Sequence, residues 1–217
     1  KNVYRFNSKK ITPSALEAFL DKYSYMNYVG GSPYSFIDAF DYDVEFIAPH
    51  EISGAYLPTL IGAYPRECTQ IAFPANIYRI TPSDDSDTAH LSLSMFYSLG
   101  KSAESSSEAL ISDGSGQPLL YGPYIALDAG KYIAEITFRL PAGAKGKVAH
   151  VDYAVGQTPS SIVKLYASDF SLGDTYTLRI PVSLEEDTSD FELRVFPMPG
   201  VALEITDVAL HKTGPQS

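Results

Sequence analysis

The chain has 217 residues, 45% of them hydrophobic, which is enough to build a sizeable buried core. Its 26 acidic and 16 basic side chains leave a formal net charge of −10, which argues against nucleic acid or an anionic membrane surface as the main partner. A single cysteine, Cys68, excludes an internal disulfide and a thiolate metal cluster, and no apolar run is long enough to span a bilayer.

The first predicted element is a short helix over residues 13–23. Thr12 or Ser14 suits the capping position, and Pro13 suits the first turn. Apolar side chains follow at spacings of three and four: Leu16, Phe19, Leu20 and Tyr23. A helix of this length is marginal alone, so we expect it to pack against the rest of the chain.

The rest of the first half predicts short strands and then a break. Residues 90–99 alternate, and Leu91, Leu93 and Met95 are expected to point inward. Residues 100–117 are rich in Ser, Gly and acids, which predicts a linker or a long surface loop. The other predicted strands cover residues 3–6, 43–48, 52–57 and 76–81. These patterns predict an N-terminal region 1–99, a linker 100–117 and a β-sandwich domain 118–211.

Seven strand-like runs follow one another at a regular spacing in the second half. No helical pattern interrupts them, so the fold predicted here is an all-β antiparallel sandwich of the jelly-roll type. Gly130 is expected to form a hairpin between the first two runs, and Asp207 is expected to mark a bulge in the last. The runs cover residues 119–127, 131–140, 147–156, 161–167, 175–182, 190–196 and 202–211.

Three motifs in this half carry a family resemblance. The pattern YGPYI-x-L-x-x-G-x-Y covers Tyr121–Tyr132, D-x-x-x-G covers Asp152–Gly156, and FELRVF covers Phe191–Phe196. Together they resemble the carbohydrate-binding jelly-roll domains attached to bacterial polysaccharide-processing enzymes and glycosyltransferases, which also occur in spikes and fibres of phages and gene transfer agents. The resemblance covers about the C-terminal half. It implies a glycan ligand and an extracellular, cell-surface or virion-like location.

The candidate sugar-binding residues are charged side chains on predicted outward faces. Alternation in residues 147–156 places His150 and Asp152 side by side. A guanidinium donates in a fork and carboxylates accept in pairs, a combination that suits sugar hydroxyls. The alternative is a solvated face with ordinary cross-strand ion pairs. The residues expected to join them are Glu135 and Arg139, or Glu192 and Arg194.

Tyrosine is the prominent aromatic residue, with 16 copies and no tryptophan. A tyrosine ring supplies an apolar face and a hydroxyl, and it can stack on a pyranose ring. Tyr121, beside Gly122, is expected at an edge of the sheet where it could meet a ligand, whereas Tyr124 is expected in the core.

Motifs for catalysis and metal binding are scarce. The sequence lacks G-x-S-x-G, H-E-x-x-H, P-loop and G-x-G-x-x-G patterns, and its four histidines are scattered. Asp84, Asp85 and Asp87 bring carboxylates together without the spacing of a calcium loop, so a solvated loop is expected, with structural calcium as the lesser alternative.

Three functions therefore stay open at this point. The first is a non-catalytic carbohydrate-binding or adhesin module, oligomeric and part of a larger surface or phage-like particle. The second is a structural assembly protein that docks through its first half, for which exposed aromatics in residues 23–42 would be the sign. The third and weakest is a glycan-active hydrolase or lyase.

Overall fold

A computed structural model describes residues 12–30, 33–52, 73–106, 108–156 and 158–214. The predictions for residues 3–6 and Cys68, and most of that for residues 52–57, lie outside these ranges. The elements are α1 (Pro13–Tyr23), β1 (Met26–Gly30), β2 (Tyr42–Ile52), β3 (Phe73–Pro82), β4 (Thr88–His90), β5 (Leu110–Ile111), β6 (Leu120–Leu127), β7 (Gly130–Arg139), β8 (Lys147–Val155), β9 (Thr158–Tyr166), β10 (Thr175–Leu184), β11 (Thr188–Pro197) and β12 (Glu204–Lys212).

The bounds predicted for the helix, residues 13–23, are confirmed at both ends. The Thr12 hydroxyl accepts a hydrogen bond from the Ala15 N–H, and Ser24, in the left-handed region with φ of 63°, ends the helix. Leu16 and Leu20 are buried in the same apolar core as the strands. No helix in the described part of the chain is both long enough and apolar enough to cross a membrane.

Strands β4 to β12 form a jelly roll of two antiparallel sheets. The first sheet has the order β10-β7-β12-β4, with β5 also paired to β12, and the second sheet has the order β6-β11-β8-β9. From β6 onward, every connection except the one from β8 to β9 crosses between the sheets. The predicted antiparallel sandwich is confirmed. The hairpin expected at Gly130 is wrong, because β6 and β7 lie in different sheets.

Alternating side chains from both sheets meet in the sandwich core. On β7 the predicted inward residues Tyr132, Ala134, Ile136 and Phe138 are buried, as are Phe191, Leu193 and Val195 on β11. The predicted bulge near Asp207 is confirmed, because the register of β12 against β7 shifts between Ile205 and Asp207.

The run 90–99 is not the strand that alternation predicts. Only Thr88–His90 is a strand, and Leu93–Met95 forms a 3-10 turn closed by the Met95 N–H to the Ser92 carbonyl at 3.0 Å. Its apolar residues are nevertheless buried, as expected: Leu91, Leu93 and Met95. Packing against the sandwich produces the burial here, and strand geometry does not.

The N-terminal strands form a separate three-stranded sheet, with the order β1-β3-β2, that packs on the sandwich. The Tyr34 hydroxyl donates to the His90 carbonyl, and the Phe40 ring lies 5.8 Å from that of Tyr132 and 4.2 Å from the Lys212 ammonium.

The first sheet of the sandwich takes β4 from residues 1–99 and β5 from residues 100–117. The three-part division of the chain stays a prediction.

Candidate functional site

The outer face of the second sheet gathers most of the chemically useful side chains. In register, Arg194 on β11 lies between Tyr121 on β6 and Asp152 on β8. Two residues further along β11, and so on the same face, Phe196 lies opposite His150 on β8. His150 in turn lies opposite Lys164 on β9. One continuous face therefore runs across four strands. It carries tyrosines at one edge, charged groups in the middle and a lysine at the other edge.

A recessed charged cluster forms the centre of this face. Arg194 Nε donates to Asp152 Oδ1 at 2.6 Å, and Arg194 Nη1 lies 3.6 Å from Glu192 Oε1. The side chains are only 4% (Asp152), 8% (Glu192) and 16% (Arg194) exposed. Alternation placed Asp152 on the outer side correctly, but the alternative of a solvated ion pair does not describe it, because its side chain is nearly buried.

The Arg194 guanidinium is held in its charged form. Burial of the guanidinium works against this, but the hydrogen bond and the charge of Asp152 outweigh it and raise the pKa of Arg194. A guanidinium has five N–H donors, and these two contacts leave others for a ligand. The arrangement offers fixed hydrogen-bond donors and acceptors that are slightly recessed in the outer face of the second sheet.

His150 and Phe196 form a stacked pair beside the cluster. Their ring centroids are 4.5 Å apart with planes 13° from parallel, and the Arg194 guanidinium lies 5.8 Å from the Phe196 ring. Burial, and then the positive charge of Lys147, lower the pKa of His150. At neutral pH this imidazole is therefore uncharged, and one ring nitrogen can donate while the other accepts.

Three tyrosines form a platform at the β6 edge. Tyr97 pairs with Tyr121 through two backbone hydrogen bonds of 2.9 and 3.0 Å, and their rings stack at 5.5 Å. The Tyr124 ring lies 5.9 Å from that of Tyr97. Tyr97 is 53% exposed and Tyr124 is 39% exposed. Tyr121, Tyr97 and Tyr124 are called the tyrosine platform below.

A bulge in β6 brings Tyr124 onto this face. Glu192 lies opposite Pro123 and Phe191 lies opposite Ile125, so Tyr124 is the extra residue between them. Its φ is 60°, in the left-handed region that residues other than glycine rarely adopt. Its predicted place in the core is therefore wrong. Strict alternation would point Tyr124 inward, and the bulge reverses it.

The hydroxyl of Tyr124 joins the platform electrostatically to the cluster. Burial, together with the charge and hydrogen bonding of the Glu192 carboxylate, raises the pKa of Tyr124 to about 12. The phenol therefore keeps its proton at neutral pH. Gly122 lies beside both of the exposed platform rings, because a Cβ there would make ordinary van der Waals contacts of 3.5 Å with Tyr124 and with Tyr97.

Two predicted site residues lie elsewhere. Glu135 and Arg139 are on β7, in the first sheet, so they face the opposite side of the sandwich from the cluster. Glu135 lies 3.2 Å from Arg179 and from His211, and Arg139 lies 3.8 Å from Glu204. The structure therefore brings together Tyr121, His150, Asp152 and Arg194, but not these two.

Three residues of the face were missed by the sequence analysis. The alternation that placed Glu192 and Arg194 together would, continued by one more alternate position, have included Phe196. Tyr97 gave no usable signal, because its run was assigned to a strand. Tyr124 was assigned to the core. The missed residues are thus all aromatic.

The acidic loop shows no metal-binding arrangement. Asp85 Oδ1 accepts the Asp87 N–H at 2.9 Å, which is the geometry of a local turn. Among the residues that the structure describes, no three His, Cys, Asp or Glu side chains are grouped to hold a metal ion. Asp84 therefore has no set of partner ligands around it.

A shallow depression of about 410 Å³ lies where β2 and β3 approach β4. Within it, Arg79 is already paired with Glu45 at 2.8 Å. Its lining contains no Tyr or Phe ring: Asp43, Val44, Glu45, Arg79, Thr81 and His90. It therefore lacks the platform that distinguishes the outer face of the second sheet.

Comparison with known proteins gives structural likenesses only. No protein-family model and no curated protein matches this chain. A family 16 carbohydrate binding module-2 has 13% identity and a TM-score of 0.37, covering 54% of this chain and 90% of its own. The CBM22-1 xylan-binding domain from Paenibacillus barcinonensis Xyn10C has 10% identity and a TM-score of 0.35, covering 56% and 82%. TmCBM61, solved in complex with β-1,4-galactotriose, has 11% identity and a TM-score of 0.30, covering 79% and 88%. Likenesses this distant assign neither a family nor a ligand to this chain.

Proposed function

We propose that this chain is a non-catalytic carbohydrate-binding module that holds a glycan on the outer face of its second sheet. The observation that carries the proposal is the tyrosine platform placed directly beside the recessed cluster of Arg194, Asp152 and Glu192. A pyranose ring has an apolar face that stacks on an aromatic ring and a rim of hydroxyls that needs donors and acceptors. This face provides both on adjacent strands of a rigid sheet.

The state of the carboxylates supports binding over catalysis. Glycosidases place two carboxyl groups on either side of the bond to be cleaved, with room between them for the sugar or a water molecule. Here Asp152 and Glu192 share one guanidinium, so a cation occupies the space between the two acids. The weaker alternative of a hydrolase or lyase gains no support from this arrangement.

The biological setting follows from the same proposal. A module without a catalytic group serves by attaching something else to a polysaccharide, so we place it in a larger extracellular, cell-surface or particle assembly. Spikes or fibres of phage-like particles are one such assembly, as the sequence resemblance implies.

The test is a glycan screen followed by substitution of the platform. The purified chain is applied to an array that includes capsular polysaccharides, and the bound glycans are titrated by calorimetry. Tyr124→Ala is expected to weaken binding by about tenfold or more, as for a central aromatic contact. The matched control is Tyr25→Ala, at an exposed tyrosine directly before β1, and this variant is expected to bind glycan like the parent. Silence across the array, or equal loss in the control, would contradict the proposal.

A second candidate function is assembly through the N-terminal sheet. Exposed apolar side chains lie on or beside its strands: Tyr25, Val29 and Ile47. Exposed apolar patches are typical of protein interfaces. If this sheet docks on a partner copy, light scattering should show a multimer that Ile47→Ser converts to monomer while glycan binding is retained. A monomer at all concentrations would count against self-assembly.

A further inference from the structure

The opposite edge of the candidate face carries unpaired positive charge. Lys164 on β9 lies directly across from His150, and Lys147 begins β8 close enough to lower the pKa of that imidazole. Of the carboxylates that the structure describes, none lies within ion-pair distance of either ammonium group. Lys147 and Lys164 are called the lysine pair below. Other described lysines also lack an ion pair, and what distinguishes these two is their place on the candidate face beside His150.

The acidic groups of the same face are already satisfied or lie at the other edge. Asp152 and Glu192 are bound to Arg194 in the recessed centre. The charge of Asp190 contributes to the raised pKa of Tyr124, so Asp190 lies on the platform side. Among the described residues of this face, the free cations that an incoming ligand meets therefore lie at the β8–β9 edge.

The distance between the two edges sets the size of the ligand. The platform is on β6 and Lys164 is on β9, the outermost strands of a four-stranded sheet. Three inter-strand spacings amount to roughly 14 Å. A single sugar ring is too small to touch both edges, so a ligand that uses the whole face is an oligosaccharide lying across the strands.

Building on the proposed function, we propose that this ligand is acidic: one ring stacks on the tyrosine platform, and an anionic substituent further along meets Lys147 and Lys164. A uronate carboxylate and a sulfate ester share this chemistry. The overall negative charge of the chain does not prevent the contact, because at physiological salt charges beyond about 8 Å are largely screened.

The experiment compares polysaccharides that differ only in charge. Polygalacturonate, alginate and hyaluronan are each used in native and carboxyl-reduced form, and dextran sulfate is paired with dextran. Affinities are measured by affinity gel electrophoresis at about 50 mM and about 300 mM NaCl. At least one charged polymer is expected to bind more tightly than its neutral form, with the advantage shrinking at the higher salt.

Substitution of the lysine pair then locates the effect. Lys164→Gln and Lys147→Gln are each expected to weaken binding of the charged polymer about fivefold or less, as for exposed ion pairs, and to leave its neutral form unaffected. Lys131→Gln, at an exposed lysine of the first sheet, is the control and is expected to change neither. A preference confined to dextran sulfate would identify the anionic group as a sulfate.

Failure of this inference is distinguishable from failure of the proposed function. Equal binding of charged and neutral forms, with Tyr124→Ala still weakening both, overturns the acidic ligand and leaves glycan binding intact. The same holds if Lys131→Gln weakens binding as much as the lysine-pair variants do. If no polymer is retained in either form, or if Tyr124→Ala is without effect, the proposed function itself falls.

Discussion

Replacement of Arg194 by glutamine tests the recessed cluster on which the candidate site is built. In the parent, one guanidinium compensates the two nearly buried carboxylates of Asp152 and Glu192. Glutamine keeps a polar side chain of moderate length but removes the charge. Both acids would then remain in a poorly solvated position without a counter-ion.

The expected cost is large because the acids stay behind. Removing one partner of a buried ion pair typically costs about 3–5 kcal/mol, whereas an exposed pair is worth about 1 kcal/mol or less. Arg179→Gln is the matched control, since Arg179 also pairs with a carboxylate on an outer face but is 66% exposed. We therefore expect Arg194→Gln to lose several times more stability than Arg179→Gln.

The assay is urea unfolding followed by far-UV circular dichroism and tyrosine fluorescence, since the chain has no tryptophan. Adding Asp152→Asn and Glu192→Gln to the Arg194→Gln variant should recover much of the loss, because no charge is then left unpaired. Equal losses for Arg194→Gln and Arg179→Gln, or no recovery in the triple variant, would refute the reasoning.

Two further predictions concern neighbouring residues of the same face. Burial, and then Lys147, lower the pKa of His150 below that of the unfolded chain, so stability present above about pH 6.5 is lost as the pH falls. The urea midpoint should therefore fall further between about pH 7 and about pH 5 in the parent than in His150→Gln. An equal fall in the two proteins would contradict this. Because φ of Tyr124 is 60°, Tyr124→Gly should be more stable than Tyr124→Ala by about 1 kcal/mol. At Tyr121, where φ is not positive, the alanine variant should instead be more stable than the glycine variant.

The sequence predicted the sandwich well because period-two alternation and a capped amphipathic helix are local signals. The helix ends at Tyr23 as predicted, and β7 buries the expected residues. Alternation also assigned Asp152 and Arg194 to the same side. It did not predict depth, because burial of a short acid depends on the side chains of neighbouring strands.

The errors at the site have topological causes. Glu135 was grouped with His150 because β7 precedes β8, yet in a jelly roll such consecutive strands lie in opposite sheets. Tyr124 was assigned to the core because one bulged residue reverses alternation, and a bulge depends on the partner strand. Tyr97 reaches the platform through pairing with Tyr121, a contact between segments that a sequence pattern does not reveal.

The most direct test of the proposed site is hydroxyl-radical footprinting of the tyrosine rings, read by mass spectrometry, with and without a polysaccharide that binds. Tyr97 and Tyr124 are both well exposed in the free protein, and Tyr25, on the N-terminal side, serves as the internal reference. If a glycan lies on the outer face of the second sheet, oxidation of Tyr97 and Tyr124 should fall while that of Tyr25 stays constant. Protection of Tyr25 with both platform rings still oxidised at their free rate would contradict the account.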